Sequence, residues 1–473
     1  MKVLVAETLA TWAVDLRPEA LPADVLTKAE DVIIDAIACA LAGSRTDGAQ
    51  RVHSVARSTL FGKGDAILWF DTATLHPTAA AFANSASASM LDLDDGHRNA
   101  LGHPGAAIVP AVLAFADADD KGIDVLCSIV AAYEVCIRIG CSERQKAYHT
   151  GNWSGLGASV AAGLGLGLNA GQLMNALTII AYHGPRVSDL TLSQDMGANV
   201  KESIPWSVVT GLMANDLAAQ GFTGCRDALD IEERYNPVVS LKGLAEGRFH
   251  SHVGTVSHAI LRTYFKRYAC CRWIHSPVEA LLQIMREQDI SAEEVENIRV
   301  ETFLQAANLN NLTDPASIES LQYSVPYCMA VAAILGEDAL SPATSECLHR
   351  TKVIKFAEKI SVERDLAMDS SYPFKTPSRV SVTTAKGTFL AMVEVLWGDP
   401  DQSLDRADFV GKFKTLARGR ISENQVMKIV SGVEGLRDGR VGPLLDALRS
   451  AVPMTSISSG NQSSDRLVKR EIV

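Results

Sequence analysis

The chain lacks the cysteine pattern of a disulfide scaffold and is poor in aromatic residues. Its nine cysteines are spread over 473 residues, and no two of them form a Cys-x-x-Cys pair. This odd, scattered set is typical of reduced thiols and argues against an iron–sulfur cluster. Aromatic residues make up 6% of the chain, whereas hydrophobic residues as a whole make up 47%. Alanine, leucine and valine therefore supply most of the apolar mass, which favours closely packed helices.

The chain also has no excess of positive charge. The formal net charge is -11 and the pI is about 5.5. Because binding to nucleic acid requires a basic surface, we expect no nucleic-acid partner. An anionic substrate is still compatible with this charge if a few cations surround it locally.

Export and membrane signals are weak. The first residues soon include Glu7 and Asp15, and no small-residue cleavage site follows them. We therefore expect no secretory signal and a cytoplasmic location. Residues 151–185 contain no Asp, Glu, Lys or Arg, but amides such as Asn169 interrupt them. This segment favours two buried helices over a membrane span, so we expect no membrane partner.

Helical periodicity dominates the first 220 residues, where we find no strand pattern. Asp24 is a candidate N-cap for the first of these helices. The predicted helices are Ala23–Leu41, Pro77–Met90, Ala107–Ala118, Ile123–Ile139, Gly155–Leu168, Ala170–Tyr182 and Trp206–Gln220.

The later part of the chain mixes strands and helices. Glu296–Phe303 alternates as a strand, and Ser378–Thr384 with Thr388–Leu396 forms a predicted hairpin. Further helices are predicted at Ser324–Leu335, Arg406–Leu416 and Glu423–Val433. Since 473 residues exceed what one core usually supports, we predict two domains in a mainly α protein. Residues 1–266 and 401–473 would form a large all-α domain, and residues 267–400 an inserted α+β domain.

Titratable residues are concentrated between Met90 and Gly105, a segment that we name the aspartate loop. It is followed by an apolar run and contains three aspartates, two histidines and an arginine: Asp92, Asp94, Asp95, His97, His103 and Arg98. Such a loop can bind a divalent metal, perform acid–base chemistry or merely cap a helix with solvated charges. Its spacing matches no metal motif, so acid–base chemistry is the favoured interpretation.

Three further places carry candidate chemistry. His149 precedes the uncharged helix pair, where it is either a capping residue or an imidazole with a tuned proton affinity. Residues 266–275 concentrate three cations, a histidine and two cysteines near the predicted domain boundary. This cluster suits a carboxylate clamp, although a basic linker and thiol catalysis are alternatives. Tyr323 and Tyr327 lie at a helix start, where a buried phenol is either a core residue or a proton donor.

The order of these motifs resembles the MmgE/PrpD family, which includes 2-methylcitrate dehydratase, cis-aconitate decarboxylase and iminodisuccinate epimerase. The matching segments span nearly the whole chain: LDLDDGH with HPG at 91–105, AYEV at 132–135, GFTG at 221–224, Lys266 through Cys271-Arg272 to His275, VPY at 325–327 and GDP at 398–400.

The resemblance implies a helical domain built from both chain ends, a smaller α+β lid and a cleft at their junction. It also implies a homodimer formed through the helical domain and chemistry without a metal or organic cofactor. The residues that it implies for the active site are Asp92, His103, His149, Lys201, Lys266, His275 and Tyr327.

The implied reaction begins with removal of a proton next to a carboxylate. We expect Asp92, His103, His149 and Tyr327 to act in proton transfer, and Lys201, Lys266, Arg272 and His275 to bind a small polycarboxylate. The favoured activity is a dehydratase-type lyase acting on a di- or tricarboxylate such as 2-methylcitrate. The alternatives are an epimerase of an imino- or amino-dicarboxylate, a cis-aconitate decarboxylase-like enzyme, a metal-dependent hydrolase and a non-catalytic helical scaffold.

Overall fold

The computed structural model describes residues 3–145, 148–186, 196–251, 254–402 and 404–451. The fold is mainly α, as predicted. The helices that precede residue 267 are α1 Val5–Asp15, α2 Ala23–Gly43, α3 Asp47–Ala56, α4 Pro77–Ser89, α5 Gly105–Ala114, α6 Gly122–Ser142, α7 Ser154–Gly165, α8 Ala170–His183, α9 Ile204–Ala219 and α10 Pro237–Leu241.

Small residues let these helices pack closely. A β-carbon on Gly211 in α9 would lie 2.4 Å from the carbonyl oxygen of Gly155 in α7, so neither backbone leaves room for a side chain there. The uncharged segment forms α7 and α8, two largely buried helices, which confirms the prediction for it. A capping box between Asn169 and Gln172 starts α8. Asp24 is not the N-cap of α2, because the helix already begins at Ala23 and Asp24 lies in its first turn.

One helix in the described part of the chain, α6, is long and apolar enough to cross a membrane. The core helix of a globular protein has the same composition, and 94% of the apolar window in α6 is buried inside the protein. Arg138 of α6 is also buried and bonded to Glu134. These observations fit a core helix.

A four-stranded sheet forms between residues 295 and 393. Its strands are β7 Val295–Thr302, β8 Ile360–Arg364, β9 Ser378–Thr384 and β10 Gly387–Val393. Their order in the sheet is β10-β9-β7-β8, where β7 and β8 are parallel and the other pairs are antiparallel. The accompanying helices are α11 His275–Glu287, α12 Leu304–Ala307, α13 Ile318–Leu321, α14 Val325–Leu335, α15 Thr351–Ala357 and α16 Leu366–Asp369. Burial alternates along β9, so one face of this strand packs against α11 and the core while the other face is only partly buried. This agrees with the alternation from which the hairpin was predicted.

The chain then returns to helix in α17 Arg406–Ala417, α18 Glu423–Glu434 and α19 Gly442–Ser450. Helix α17 packs against α2, so the end of the chain joins its beginning. At that contact the Lys412 ammonium donates to Asp35 Oδ1 at 2.5 Å and to the carbonyl of Leu93 at 3.0 Å. Through these two hydrogen bonds, Lys412 of α17 links the aspartate loop to α2. The exact domain limits stay a prediction.

The expectation of no strand before residue 220 is wrong in detail. Short strands occur there, namely β1 Ala66–Ile67, β2 Thr74–Leu75 and β3 Gly96–His97. Three more follow before the sheet: β4 Phe249–Ser251, β5 Gly254–Val256 and β6 Thr263–Tyr264. Pairs of two or three residues are too short to produce an alternating pattern, so the sequence does not reveal them.

Candidate active site

A narrow cavity lies where the aspartate loop meets residues 264–273. Its volume is about 20 Å³, which is room for a water molecule and not for a polycarboxylate. Substrate entry therefore requires its walls to move apart. The lining residues are Asp92, His103, Tyr148, Glu202, Tyr264, Lys266, Cys271, Arg272, Trp273, Leu309 and Tyr323.

A short antiparallel ladder brings the two main segments of the site together. Strand β3 in the aspartate loop pairs with β6, with Gly96 opposite Tyr264 and His97 opposite Thr263. A β-carbon at Gly96 would lie 2.3 Å from the Tyr264 ring, so this position requires glycine. The pairing delivers Lys266, two residues after β6, to Asp92.

Lys266 and Asp92 form a buried ion pair. The Lys266 ammonium is fully buried and lies 2.6 Å from Asp92 Oδ1, and it also donates to the Asp92 carbonyl at 2.9 Å. Burial alone would raise the pKa of the Asp92 carboxyl, but the charges of Lys266 and Lys201 hold it well below its ordinary value. Burial alone would lower the pKa of Lys266, but Asp92 and Asp94 raise it. An ammonium has three N–H donors, so one remains for a ligand.

His103 has a defined orientation. Its Nδ1 lies 2.7 Å from the carbonyl oxygen of Asp95, which can only accept a hydrogen bond. Nδ1 therefore carries a proton, and Nε2 is the atom available for proton transfer. Nε2 lies 3.7 Å from Asp92 Oδ1 and 3.9 Å from Glu202 Oε1. His103 and Lys266 thus face the same cavity.

The loop around His103 is held by Asp95. The Tyr133 hydroxyl donates to Asp95 Oδ2 at 2.6 Å, and the backbone N–H of Gly105 donates to Oδ1 at 2.8 Å. Burial raises the pKa of the Asp95 carboxyl to about 7, and these hydrogen bonds oppose the shift. Asp95 therefore orients His103 through its backbone and anchors the loop through its side chain.

Arg272 is part of the cavity wall, and most of its N–H groups already donate hydrogen bonds to other residues of the protein. It donates to the carbonyls of Phe265 and Trp397, each at 3.0 Å, and to Asp399 Oδ1 at 2.6 Å. Its buried Nε–H has no acceptor among the residues that the structure describes. This N–H is the donor that an anionic ligand can still use.

Asp399 joins two arginines from different parts of the chain. Arg98 of the aspartate loop also donates to Asp399 Oδ1, at 2.5 Å. Burial would raise the pKa of Asp399, but Arg272 and Arg98 lower it. This triad ties the aspartate loop to the segment that follows the sheet.

Lys201 lies beside the lining and not in it. Its ammonium donates to Gln322 Oε1 at 2.8 Å and lies 5.4 Å from the centre of the Tyr323 ring. Gln322 in turn donates to the carbonyl of Met90 at 3.0 Å. Lys201 therefore contributes positive charge to the cavity and supports its wall.

Besides Lys201, three more predicted site residues lie outside this lining. His149 occupies a separate cleft, with Nδ1 3.2 Å from Glu143 Oε2. The Tyr327 hydroxyl donates to the carbonyl of Cys347 at 2.8 Å, whereas Tyr323 faces the cavity. His275 is buried behind Arg272, and burial, followed by the charge of Arg272, lowers its pKa well below the ordinary value. The catalytic roles of His149 and Tyr327 and the binding role of His275 stay predictions.

The alternatives of thiol catalysis and a metal receive little support from the side chains present. Burial raises the pKa of the Cys271 thiol, which disfavours a thiolate. Among the described residues, Asp92, Asp94 and His103 offer ligand atoms within 4.8 Å of one another. However, the Lys266 ammonium already occupies Asp92 Oδ1, so a divalent cation there would face a buried positive charge. This donor set does not fit a metal well, and cofactor-free chemistry stays a prediction.

Several lining residues were not predicted from the sequence. They are Tyr148, Glu202, Tyr264, Trp273 and Leu309. Glu202 directly follows Lys201 and was the one with a signal, because a carboxylate beside a candidate cation is a natural site residue. The others reach the cavity through tertiary packing, such as the edge-to-face contact of Tyr148 with Trp273 at 5.4 Å.

Comparisons with known proteins identify the family. The MmgE/PrpD N-terminal domain profile matches residues 7–245, and the C-terminal domain profile matches residues 268–436. The chain therefore belongs to the MmgE/PrpD family, as its motifs predicted.

Two similar proteins are named cis-aconitate decarboxylase. One, from Aspergillus terreus, is 27% identical over 95% of this chain and 96% of its own length. The other, from strain NIH 2624 of the same species, is 26% identical over the same shares. A cis-aconitate decarboxylase-like protein, oryM, of Aspergillus oryzae is 25% identical over 62% of this chain and 65% of its own length. The family and these relatives are enzymes of the dehydratase and decarboxylase type.

Proposed function

We propose that the protein is a cofactor-independent lyase that acts on a small di- or tricarboxylate. The observation that carries this proposal is that His103, Lys266 and Arg272 line one buried cavity. An acid–base group beside fixed cations is what proton transfer next to a carboxylate requires.

The chemistry follows from the charges that develop. Removing a proton from the carbon next to a carboxylate, or losing CO2 from it, places negative charge on the remaining carboxylate and carbon. The free N–H of Lys266 and the Nε–H of Arg272 stabilise that charge in a site of low polarity. His103 Nε2 takes up or supplies the proton. The tyrosines and Trp273 exclude water from the closed cavity.

Dehydration of a hydroxylated polycarboxylate such as 2-methylcitrate is our first candidate, since it needs one base, one acid and cations for the carboxylates. Decarboxylation of an unsaturated tricarboxylate is the second candidate, favoured by the names of the two full-length relatives. In both reactions the same cations and the same imidazole act. Cytoplasmic location and a homodimer formed through the helical domain are parts of the proposal.

The experiment is a small substrate panel with purified protein. 2-Methylcitrate and citrate test loss of water by the ultraviolet absorbance of the new double bond, and cis-aconitate tests release of CO2. Incubation in deuterated water detects an epimerase as exchange at carbon without an alkene product or CO2. His103→Ala should lower the turnover by about 10²–10⁴-fold. His349→Ala, at an exposed histidine, should retain it.

Two results would overturn the proposal. One is the absence of both water loss and CO2 loss with every acid of the panel, including the case in which only carbon exchange is seen. The other is wild-type turnover by His103→Ala.

A further inference from the structure

Glu202 has an unusual position beside His103. One of its oxygens, Oε2, accepts the backbone N–H of Thr150 at 3.1 Å and also the Thr150 hydroxyl. The other oxygen, Oε1, accepts no hydrogen bond from the described residues and lies 3.9 Å from His103 Nε2. Thr150 Oγ1 also accepts the backbone N–H of His103 at 3.2 Å. Thr150 thus fixes the carboxylate and the imidazole relative to each other.

The backbone at Glu202 is held in a costly conformation. Lys201, Glu202 and Ser203 have φ values of 41°, 53° and 61°, and none of them is glycine. Left-handed backbone at such residues is strained, and strain of this kind concentrates at functional sites. The turn, at the start of α9, places Glu202 in the cavity lining and Lys201 beside it.

Glu202 differs from the other carboxylates near His103. Asp92 is neutralised by the Lys266 ammonium at 2.6 Å. Asp94 is buried and lies outside the lining, and burial raises its pKa. Glu202 is therefore the carboxylate that lines the cavity with an uncommitted oxygen directed toward Nε2.

We infer that Glu202 is a catalytic residue of the proposed lyase and forms with His103 the pair that moves the substrate proton. This inference rests on the proposed function. In a dehydration, Glu202 Oε1 takes the proton from the carbon next to the carboxylate, and the electron pair of that C–H bond forms the double bond. The C–O bond breaks, and the leaving hydroxide takes the proton from His103 Nε2 to become water.

The pair then resets itself. The proton on Glu202 Oε1 returns to His103 Nε2 across the 3.9 Å between them, directly or through the water that the cavity can hold. No external proton is consumed in a dehydration. In a decarboxylation, the same relay delivers one proton from solvent to the carbon that loses CO2.

The test compares Glu202→Gln with wild type in activity and in the nitrogen NMR signal of His103 Nε2. Glutamine keeps the size and can still accept from Thr150, but it cannot exchange a proton. We expect kcat to fall at least about 100-fold with KM changed less than about threefold, and one limb of the pH–rate profile to disappear. Glu202→Asp should recover part of kcat and the missing limb. Glu294→Gln, at an exposed capping residue, is the matched control and should behave as wild type.

The nitrogen NMR signal of His103 Nε2 tests the pair independently of turnover. Nitrogen NMR of the imidazoles, assigned with His103→Gln, follows Nε2 in the presence of its other charged neighbours, Asp92, Asp94 and Lys266. Loss of the carboxylate at 3.9 Å should move the Nε2 signal of His103 in Glu202→Gln, whereas Glu294→Gln should leave it unchanged.

The outcomes separate the two proposals. An unchanged Nε2 signal of His103 in Glu202→Gln overturns the pairing even if wild type turns over no acid of the panel. If wild type is active, wild-type kcat in Glu202→Gln overturns the catalytic role of Glu202 and leaves the lyase proposal standing.

Discussion

The buried pair of Lys266 and Asp92 allows a quantitative prediction for Lys266→Met. Methionine has a similar length and no charge, so it fills the space of the lysine stem but leaves the Asp92 carboxylate without its ammonium. Lys266 is fully buried and Asp92 is 5% exposed, which means that water cannot replace the lost partner. The variant should therefore be strongly destabilised.

The magnitude follows from the geometry. Two unit charges 2.6 Å apart attract by about 6 kcal/mol at an effective dielectric constant of 20. Breaking a buried pair by removing one partner typically costs about 3–5 kcal/mol. We expect a loss of this size in the free energy of unfolding. The double variant Asp92→Asn/Lys266→Met, which buries no charge, should lose less than Lys266→Met alone.

The assay is urea denaturation followed by tryptophan fluorescence for wild type, both single variants and the double variant. The double-mutant cycle should give a coupling energy of about 2–4 kcal/mol. Without the ammonium, burial raises the folded-state pKa of Asp92 above its unfolded value, so stability is lost as pH rises through that pKa. Lys266→Met should thus be less destabilised at pH 5 than at pH 8. If the stability losses of the two single variants add up to that of the double variant within about 0.5 kcal/mol, the reasoning is refuted.

Three further predictions concern other buried charges. Asp399→Asn leaves its two arginine partners facing each other, so the melting temperature should fall and KM should rise roughly tenfold, measured by thermal unfolding and steady-state kinetics. Asp95 keeps its proton in the folded state up to about pH 7, whereas the unfolded state releases it near pH 4, so wild type loses stability over that window as pH rises. Asp95→Asn lacks this loss, and its melting temperature relative to wild type should be higher at pH 8 than at pH 5. Arg138→Met leaves Glu134 unpaired in the core of α6, and urea denaturation should show a loss of about 3–5 kcal/mol with KM unchanged.

The long helices and the hairpin were predictable because their signals are local. Ala23–Leu41 and Ala170–Tyr182 carry apolar residues at helical spacing, and the observed helices differ by only one or two residues at their ends. Strands β9 and β10 alternate over seven residues each, which is long enough to detect. Strand β3 is only two residues long, and its partner β6 lies far away in the chain. No local pattern reveals that pairing, although it brings Lys266 to Asp92.

The candidate site was predictable where its titratable residues lie close together in the sequence. The aspartate loop and the cation cluster do meet, with His103 and Lys266 on one cavity. For Glu202 the sequence offers only its position next to Lys201, because the left-handed turn and the contact with Thr150 that bring it to His103 have no sequence signal. The choice between Tyr323 and Tyr327 likewise depends on a tertiary contact, since only the structure shows the Tyr327 hydroxyl donating to Cys347.

The most direct test of the central claim is a crystal structure with a bound, slowly reacting tricarboxylate. The account predicts one carboxylate within hydrogen-bond distance of Lys266 Nζ and Arg272 Nε, and the adjacent carbon within about 3.5 Å of His103 Nε2 or Glu202 Oε1. Binding of the ligand in the cleft beside His149, with the cavity around His103 unchanged, would contradict it.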